Sequence, residues 1–511
     1  MITSGQDSLK INTIANLVGR FWAMLLAIAL VPVYVRYLGI ESYGLVGLLG
    51  ALQGMFGMFD LGIGAALNRE MARLSVVNGS EPEQRNLLRT LEVIYWGLAA
   101  LVAGVSVLLA PFIATKWINA VALSPETITD CIRLMGFCIA SQFVFGFYQG
   151  GLMGLQRQVM VNWILILVAS VRGAGAVLLL VFVSRRIEVF FLWQLISVAI
   201  GALATMWLIW RVLRHDSVPR FSSAAFRSTW KFALGWYLNS VFNVILAQSD
   251  KIILSKLLPL DYLGYYTLGQ TLVQPLVTVT GAVCAAVFPR FNQLVQLKNT
   301  KALSVMYHKA AQFLTLLLVP LSITLILYSW DILLVWTRDL SVADNVYLIV
   351  KYLAVGAFFA GIYTIPGYLQ LAHNSFGLVL GGLVVLSCLY VSLLIFMVPA
   401  YNANGAALSS AIIGFCYLLS VPLMHRRFLQ REFGSWLLRD VTFPALAAGA
   451  SGMVVKAILP QPTGNIGSLL VMTGACCLAA VGSAFLVARV KLPRGGCKTP
   501  MGSNCATSRV I

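Results

Sequence analysis

The sequence is short of charge, and of acidic charge above all. Only 11% of its 511 residues are charged, and Asp plus Glu number 18 against 36 Lys plus Arg. Soluble domains carry about 25% charged residues, so this composition falls outside the soluble class. Four histidines have no zinc-type spacing, and nine cysteines form no CxxC pair. A zinc site and a disulfide framework are therefore not expected, and the cysteines read as small apolar residues. A Walker-type loop is also missing, which argues against ATP hydrolysis within the chain. No cofactor is implied. The connections between apolar runs are too short to fold into a catalytic domain, so the chain is not read as an enzyme and its function has to lie within the apolar part. The first apolar run is too long and too studded with polar residues to resemble a cleavable signal peptide.

What the sequence has in abundance is apolar length. Hydrophobic residues make up 59% of it, and they recur in runs of about 20 residues, each able to cross a ~30 Å hydrocarbon core as a helix. The pattern predicts an all-α membrane protein of about 14 transmembrane helices, at 11–36, 44–67, 88–113, 132–155, 160–183, 189–212, 230–254, 263–288, 310–334, 346–371, 375–398, 405–425, 441–459 and 466–488. A formal charge of +18 would suit a nucleic-acid partner only if it were clustered on a soluble face. Instead, 24 Lys/Arg fall in one set of alternate connections and 9 in the opposite set, with Arg20, Arg172 and Lys456 inside helices. That asymmetry needs no nucleic acid; it orients the protein with both termini in the cytoplasm.

A weak internal repeat runs through this pattern. Arg36-Tyr-Leu-Gly-Ile-Glu41-Ser-Tyr-Gly44 lies 220 residues before Lys256-Leu-Leu-Pro-Leu-Asp261-Tyr-Leu-Gly264, and the same offset aligns Ala65-Ala66 with Ala285-Ala286. Six helices per copy give two parallel bundles facing each other across a cleft, as alternating access requires. The expected units are 1–227, 228–430, and a pair of additional helices with a tail over 431–511.

Polar residues at membrane depth mark where such a cleft would be lined. Asn12, Asn16 and Arg20 share one face of the first helix, with Arg20 roughly 14 Å along it. Asp60 lies at similar depth on the next helix and could pair with Arg20, to pin the hairpin or to serve transport. Arg172 sits mid-membrane among small residues (Ser170-Val-Arg172-Gly-Ala-Gly175) with no acid within a turn. It faces either a water-filled cleft or a carboxylate on another helix. Helix 7 carries Asn239, Asn243 and Asp250 on one face, with Lys251 beside the last, and helix 8 carries Gln270, Gln274 and Thr278. Gln53, Gln142, Gln149 and Gln194 add amides to the first half. Amides of this kind can glue helices together or hydrogen-bond sugar hydroxyls. Pro32, Pro275 and Pro366 mark expected bends.

Two segments carry a resemblance. The opening stretch from Val31-Pro-Val-Tyr-Val-Arg36-Tyr-Leu-Gly-Ile-Glu41-Ser-Tyr-Gly44 to Phe59-Asp60-Leu-Gly-Ile-Gly64-Ala-Ala-Leu-Asn68-Arg69, and Asp250-Lys251 with Leu263-Gly-Tyr-Tyr-Thr-Leu-Gly269, resemble polysaccharide-repeat flippases of the Wzx type, in the MATE-like MOP superfamily. The resemblance implies two six-helix bundles (a MATE-like fold), here with two C-terminal helices added. It implies a bacterial inner-membrane flippase that moves undecaprenyl-diphosphate-linked oligosaccharide from the cytoplasmic to the periplasmic leaflet, beside a polysaccharide polymerase and chain-length machinery. On this reading the diphosphate suits Arg20 and Arg172, the sugars suit the Asn and Gln residues, and Asp60 or Asp250 would bind a coupling ion. The alternatives are a lipid-linked peptidoglycan precursor flippase, a drug or metabolite antiporter of the same fold, and, in a different class, a periplasmic polymerase or ligase.

Overall fold

In lipid, every backbone N–H and C=O has to be satisfied within the chain, and an apolar run achieves this as an α-helix. The computed structural model describes residues 5–60, 62–214, 218–221, 241–373, 376–429, 432–458 and 466–488, and among them no strand forms. The first half holds α1 (Gly5–Leu38), α2 (Ile40–Phe56), α3 (Ile63–Leu74), α4 (Glu81–Phe112), α5 (Pro125–Gly154), α6 (Gln158–Phe182) and α7 (Ile187–Val212). Next come α8 (241–257), α9 (Leu260–Gln296), α10 (Thr300–Thr337), α11 (Leu340–Ala372) and α12 (Phe376–Phe428). The chain ends in a single turn α13 (Phe433–Ser435), a π-helical segment Trp436–Thr442, α14 (Phe443–Ile458) and α15 (Ile466–Ala488).

Among the described residues, eleven helical segments are long and apolar enough to span a membrane. One of them, α12, supplies two crossings. Its 53 residues would extend ~80 Å if straight, more than twice the hydrocarbon thickness. Instead the backbone leaves helical geometry at Asn402 (φ 52°, ψ −139°), and Gly405 packs against the Met397 carbonyl as the chain doubles back. Tyr390 Oη and Ser410 Oγ, 2.8 Å apart, join the two arms. The connection expected at 399–404 is therefore a tight hairpin. With α8, described over 241–257, and the α2–α3 arm, helices stand at each of the fourteen expected positions.

The helix predicted at 44–67 is broken. Residues Gly57–Asp60 form a 3₁₀ turn, and Gly62 takes the left-handed conformation (φ 73°) that only glycine adopts cheaply. Three glycines within eight residues (57, 62 and 64) lower helix propensity enough for the chain to turn here. By contrast the helices run on through Pro32, Pro275 and Pro366, and the other departure from helical angles falls at Tyr328 in α10.

The helices gather as two bundles. In the first, α6 packs on α1, and α5 is flanked by α3, α4 and α7; in the second, α9, α10 and α12 surround α11. The proposed border between them, at 227/228, lies outside the described residues. The additional pair α14 and α15 packs together and rests on α10. A polar cluster fixes where it joins the core. His308 of α10 bonds Asp440 through Nδ1 and Glu432 through Nε2 at 3.1 Å, while Gln312 donates to Asp440 at 2.8 Å. Partial burial would raise the Glu432 carboxyl, but hydrogen bonds from Ser435, Ser304 and His308 hold it below the usual carboxylate range.

Candidate functional site

The two bundles meet along α2 and α9, the helices that carry the sequence repeat. Their crossing is reciprocal. A methyl group added at Gly44 would come within 2.5 Å of the Leu260 carbonyl, and one added at Gly264 would overlap the Ile40 carbonyl. These four positions exchange under the same 220-residue offset that relates the motifs. Gly47 packs on Thr267, its own counterpart at that offset. Small residues at such positions let two backbones approach, which is how helices associate without a hydrophobic drive between them.

Hydrogen bonds between the halves cluster at the same end. Leu260 N–H donates to the Asn119 carbonyl (2.9 Å), Asn119 Nδ2 to the Lys256 carbonyl (3.1 Å), Trp117 Nε1 to Ser255 Oγ (3.1 Å) and Trp336 Nε1 to the Ile28 carbonyl (2.9 Å). The buried Glu41 carboxylate accepts the backbone N–H groups of Val121, Ala122 and Leu123 at 2.8–3.3 Å, which holds the intervening loop in place. This end, opposite the termini, is sealed, and one apolar core runs through both halves beneath it.

Away from the seal, each half presents a polar cavity. The first, of about 390 Å³, is lined by Gln53, Asn68, Gln142 and Gln149 among aromatic and glycine residues. The second, of about 540 Å³, is lined by Asn243, Gln248, Asp250, Lys251, Gln270 and Gln274. A smaller space of about 220 Å³ carries Lys251, Gln270 and Gln274 across to Ala27 of α1 and Gly50 of α2. The second cavity thus opens towards the opposite half, and Lys251 stands at the passage.

Asp250 is buried at 3% exposure. Its carboxylate accepts from Tyr266 Oη (2.6 Å), Gln270 Nε2 (3.0 Å) and the Lys251 N–H (2.8 Å), and no ion pair is formed among the described residues. Among the described residues, Lys251 Nζ donates only to the Gln248 amide, at 3.3 Å. A buried carboxylate that lines a cavity and is met by neutral donors is a candidate group for binding a cation.

The structure brings Gln53 and Gln142 together in the first cavity, and Asn243, Asp250, Gln270 and Gln274 in the second. Arg172 is placed differently. It lines none of these three spaces, it lies within electrostatic range of Tyr34 and Cys138, and no described carboxylate pairs with it. The small residues beside it seat other helices, since Gly173 faces Leu30 of α1 and Gly175 faces the Trp193 ring of α7. For Asn16, Arg20 and Asp60 the backbone alone is described, so the Arg20–Asp60 pair lies outside the described side chains, and Asn239 lies outside the described residues. Lys251 carries a signal in the sequence, a lysine next to an aspartate about six residues inside an apolar run, yet charge counting by connection groups it with the loop that follows.

The family model for polysaccharide biosynthesis proteins matches residues 9–295, more than half of the chain. The chain belongs to that family. A relative from Shigella flexneri named "Putative O-antigen transporter" is 24% identical over 405 residues, covering 78% of this chain and 94% of that one. Among solved structures, the lipid II flippase MurJ in an inward closed conformation superposes with a TM-score of 0.73 at 14% identity, over 94% of this chain and 99% of that one. The multidrug transporter DinF-BH, of the MATE type, gives 0.60 at 15% identity, over 84% and 97%. At these identities the likeness is one of fold. This member of the polysaccharide biosynthesis family is thus a multi-pass membrane protein whose two-bundle fold is shared with both structures.

Proposed function

We propose that the protein is a flippase that carries oligosaccharide repeat units on undecaprenyl diphosphate from the cytoplasmic to the periplasmic leaflet of a bacterial inner membrane. The observation that carries this reading is the pair of amide-lined cavities, one in each half, the second extending past Lys251 towards α1 and α2, with the end opposite the termini closed. Amides satisfy sugar hydroxyls, a cation meets the diphosphate, and the prenyl tail stays in lipid between the bundles. The name of the Shigella flexneri relative points to the same kind of cargo. The 24-to-9 distribution of Lys/Arg supports an orientation with the sealed end towards the periplasm. Asp250 is the proposed site of ion coupling, with Asp60 as a second. Arg20 and Arg172 are proposed to add positive potential to the cleft, and a polymerase with its chain-length machinery would take the product.

The test uses inverted membrane vesicles loaded with a labelled lipid-linked repeat unit. The label should become protected inside the vesicles, protection should fall when the ion gradient is collapsed, and Asp250→Asn should remove that dependence. Efflux of cationic dyes with no protection of the label would place the protein with the drug carriers instead.

Arg172 has its own expected outcome. Arg172→Ala should lose surface polysaccharide at normal protein level, Arg172→Lys should keep part of it, and Arg172→Glu should keep none, because charge reaches the cleft even where the arginine fork is lost. Full polysaccharide export by Arg172→Ala would reduce the residue to a packing role.

A further inference from the structure

The positive-inside rule leaves few cations on the periplasmic side, so their grouping there is informative. Three of the nine converge on one groove. A space of about 990 Å³ lies between the two halves at the sealed end, lined on one side by Arg36 and Tyr37 of α1 and Val181 of α6, and on the other by Trp336 and Arg338. Arg185 stacks over the Tyr37 ring, 5.3 Å from its centroid. All three arginines are exposed, and none forms an ion pair with a described carboxylate. The one acid in the lining, Asp339, is already engaged, since it accepts from the N–H groups of Ser341 (2.8 Å) and Val342 (3.3 Å) as the cap of α11. Arg338 occupies the left-handed position that ends α10 (φ 56°), where glycine is the low-cost residue. An arginine adopts this conformation at a cost.

We infer that this groove is a binding site for the phosphoryl headgroup of a lipid in the periplasmic leaflet. Guanidinium groups bind phosphate oxygens through paired N–H donors, and basic pockets between transmembrane helices hold anionic headgroups. Trp336 and Tyr37 set the groove at the level of the aromatic belt, where headgroups lie. Two lipids present this chemistry, an anionic phospholipid and a prenyl diphosphate. The second would be the carrier on arrival, after the cleft has released it. Placement on the periplasmic side rests on the orientation proposed above, whereas the binding itself does not.

The experiment counts lipids bound to the intact protein in detergent by native mass spectrometry. The probes are phosphatidylglycerol, phosphatidylcholine and farnesyl diphosphate, with inorganic diphosphate as competitor. Arg36→Gln with Arg338→Gln should weaken the tightest anionic adduct roughly tenfold or more, while Arg211→Gln, an exposed arginine at the opposite end, should not. Tightest binding of farnesyl diphosphate would assign the groove to the arriving carrier. Tightest binding of phosphatidylglycerol would assign it to a resident phospholipid. Arg36→Lys with Arg338→Lys, which keeps the charge and removes the fork, should fall between the parent and the glutamine variant. Equal adducts in the parent and the glutamine variant, or no preference for either anionic lipid over phosphatidylcholine, would overturn the site. Because nothing is transported in this measurement, it can fail while the flippase reading stands, and the reverse.

Discussion

Replacing Lys251 with glutamate is expected to stop translocation of the lipid-linked cargo while the protein still reaches the membrane. Lys251 is the sole cation among the described residues lining the second cavity and its extension towards α1 and α2. Its ammonium group donates to one amide at 3.3 Å, a long bond that leaves two N–H groups for a ligand. A hydrogen bond to a charged group contributes about 1.5–3 kcal/mol, so Lys251→Gln should weaken cargo handling on the order of 10- to 100-fold. Glutamate goes further, because it sets a second carboxylate beside Asp250, and an anionic diphosphate would then meet like charge in a low-dielectric space. Lys251→Arg keeps the charge and should keep most of the activity. Protected label in inverted vesicles, normalised to protein level, is the measurement. If Lys251→Gln transports at the parental rate, the cation that meets the diphosphate has to be sought at Arg20 or Arg172.

The overall architecture was legible because membrane crossing imposes one rule, apolar length, on every helix. The breaks were less so. Apolar length cannot distinguish α2 followed by α3 from one helix, since the decision rests on Gly62 reaching a left-handed conformation. Nor does it reveal that the connection at 399–404 shrinks to a hairpin about Asn402. The interior was legible as residue types and not as positions. Gln53, Gln142, Asn243, Asp250, Gln270 and Gln274 line cavities, as polar residues at membrane depth should. Arg172 shares their polarity, yet it sits near Tyr34 of α1 and Cys138 of α5, outside those spaces. Helical periodicity tells which residues share a face and leaves open what that face meets. For Lys251 the difficulty was counting by connection, which assigned it to the outer side instead of the cavity it enters. The repeat carried the most information per residue, because an offset of 220 names both partners of a contact before either helix is placed.

That contact gives the second large expected effect. If Gly44 and Gly264 seal the periplasmic end by letting α2 and α9 touch, then Gly44→Ala or Gly264→Ala should shift the protein towards its outward-open state. The added methyl groups meet backbone carbonyls, which cannot swing aside as a side chain can. Overpacking of this sort costs typically 1–3 kcal/mol. Charged to the sealed state alone, it changes the ratio of the two states roughly 5- to 150-fold. The two substitutions should not add, because whichever methyl first separates the helices relieves much of the clash at the other, a non-additivity expected of groups in one contact. Gly97→Ala on α4 serves as control, since a methyl group there meets nothing within 4 Å. The readout is a cysteine in place of Thr267, which lies against Gly47 in the crossing, in a background with the native cysteines replaced. A membrane-impermeant maleimide should reach it from the periplasmic side in the Gly44→Ala and Gly264→Ala proteins and hardly at all in the parent. Transport should fall in step, as a carrier held open to the product side cannot reload. Unchanged labelling together with full transport would mean that the helices part along some other line, and that the reciprocal glycines are a relic of duplication without a part in gating.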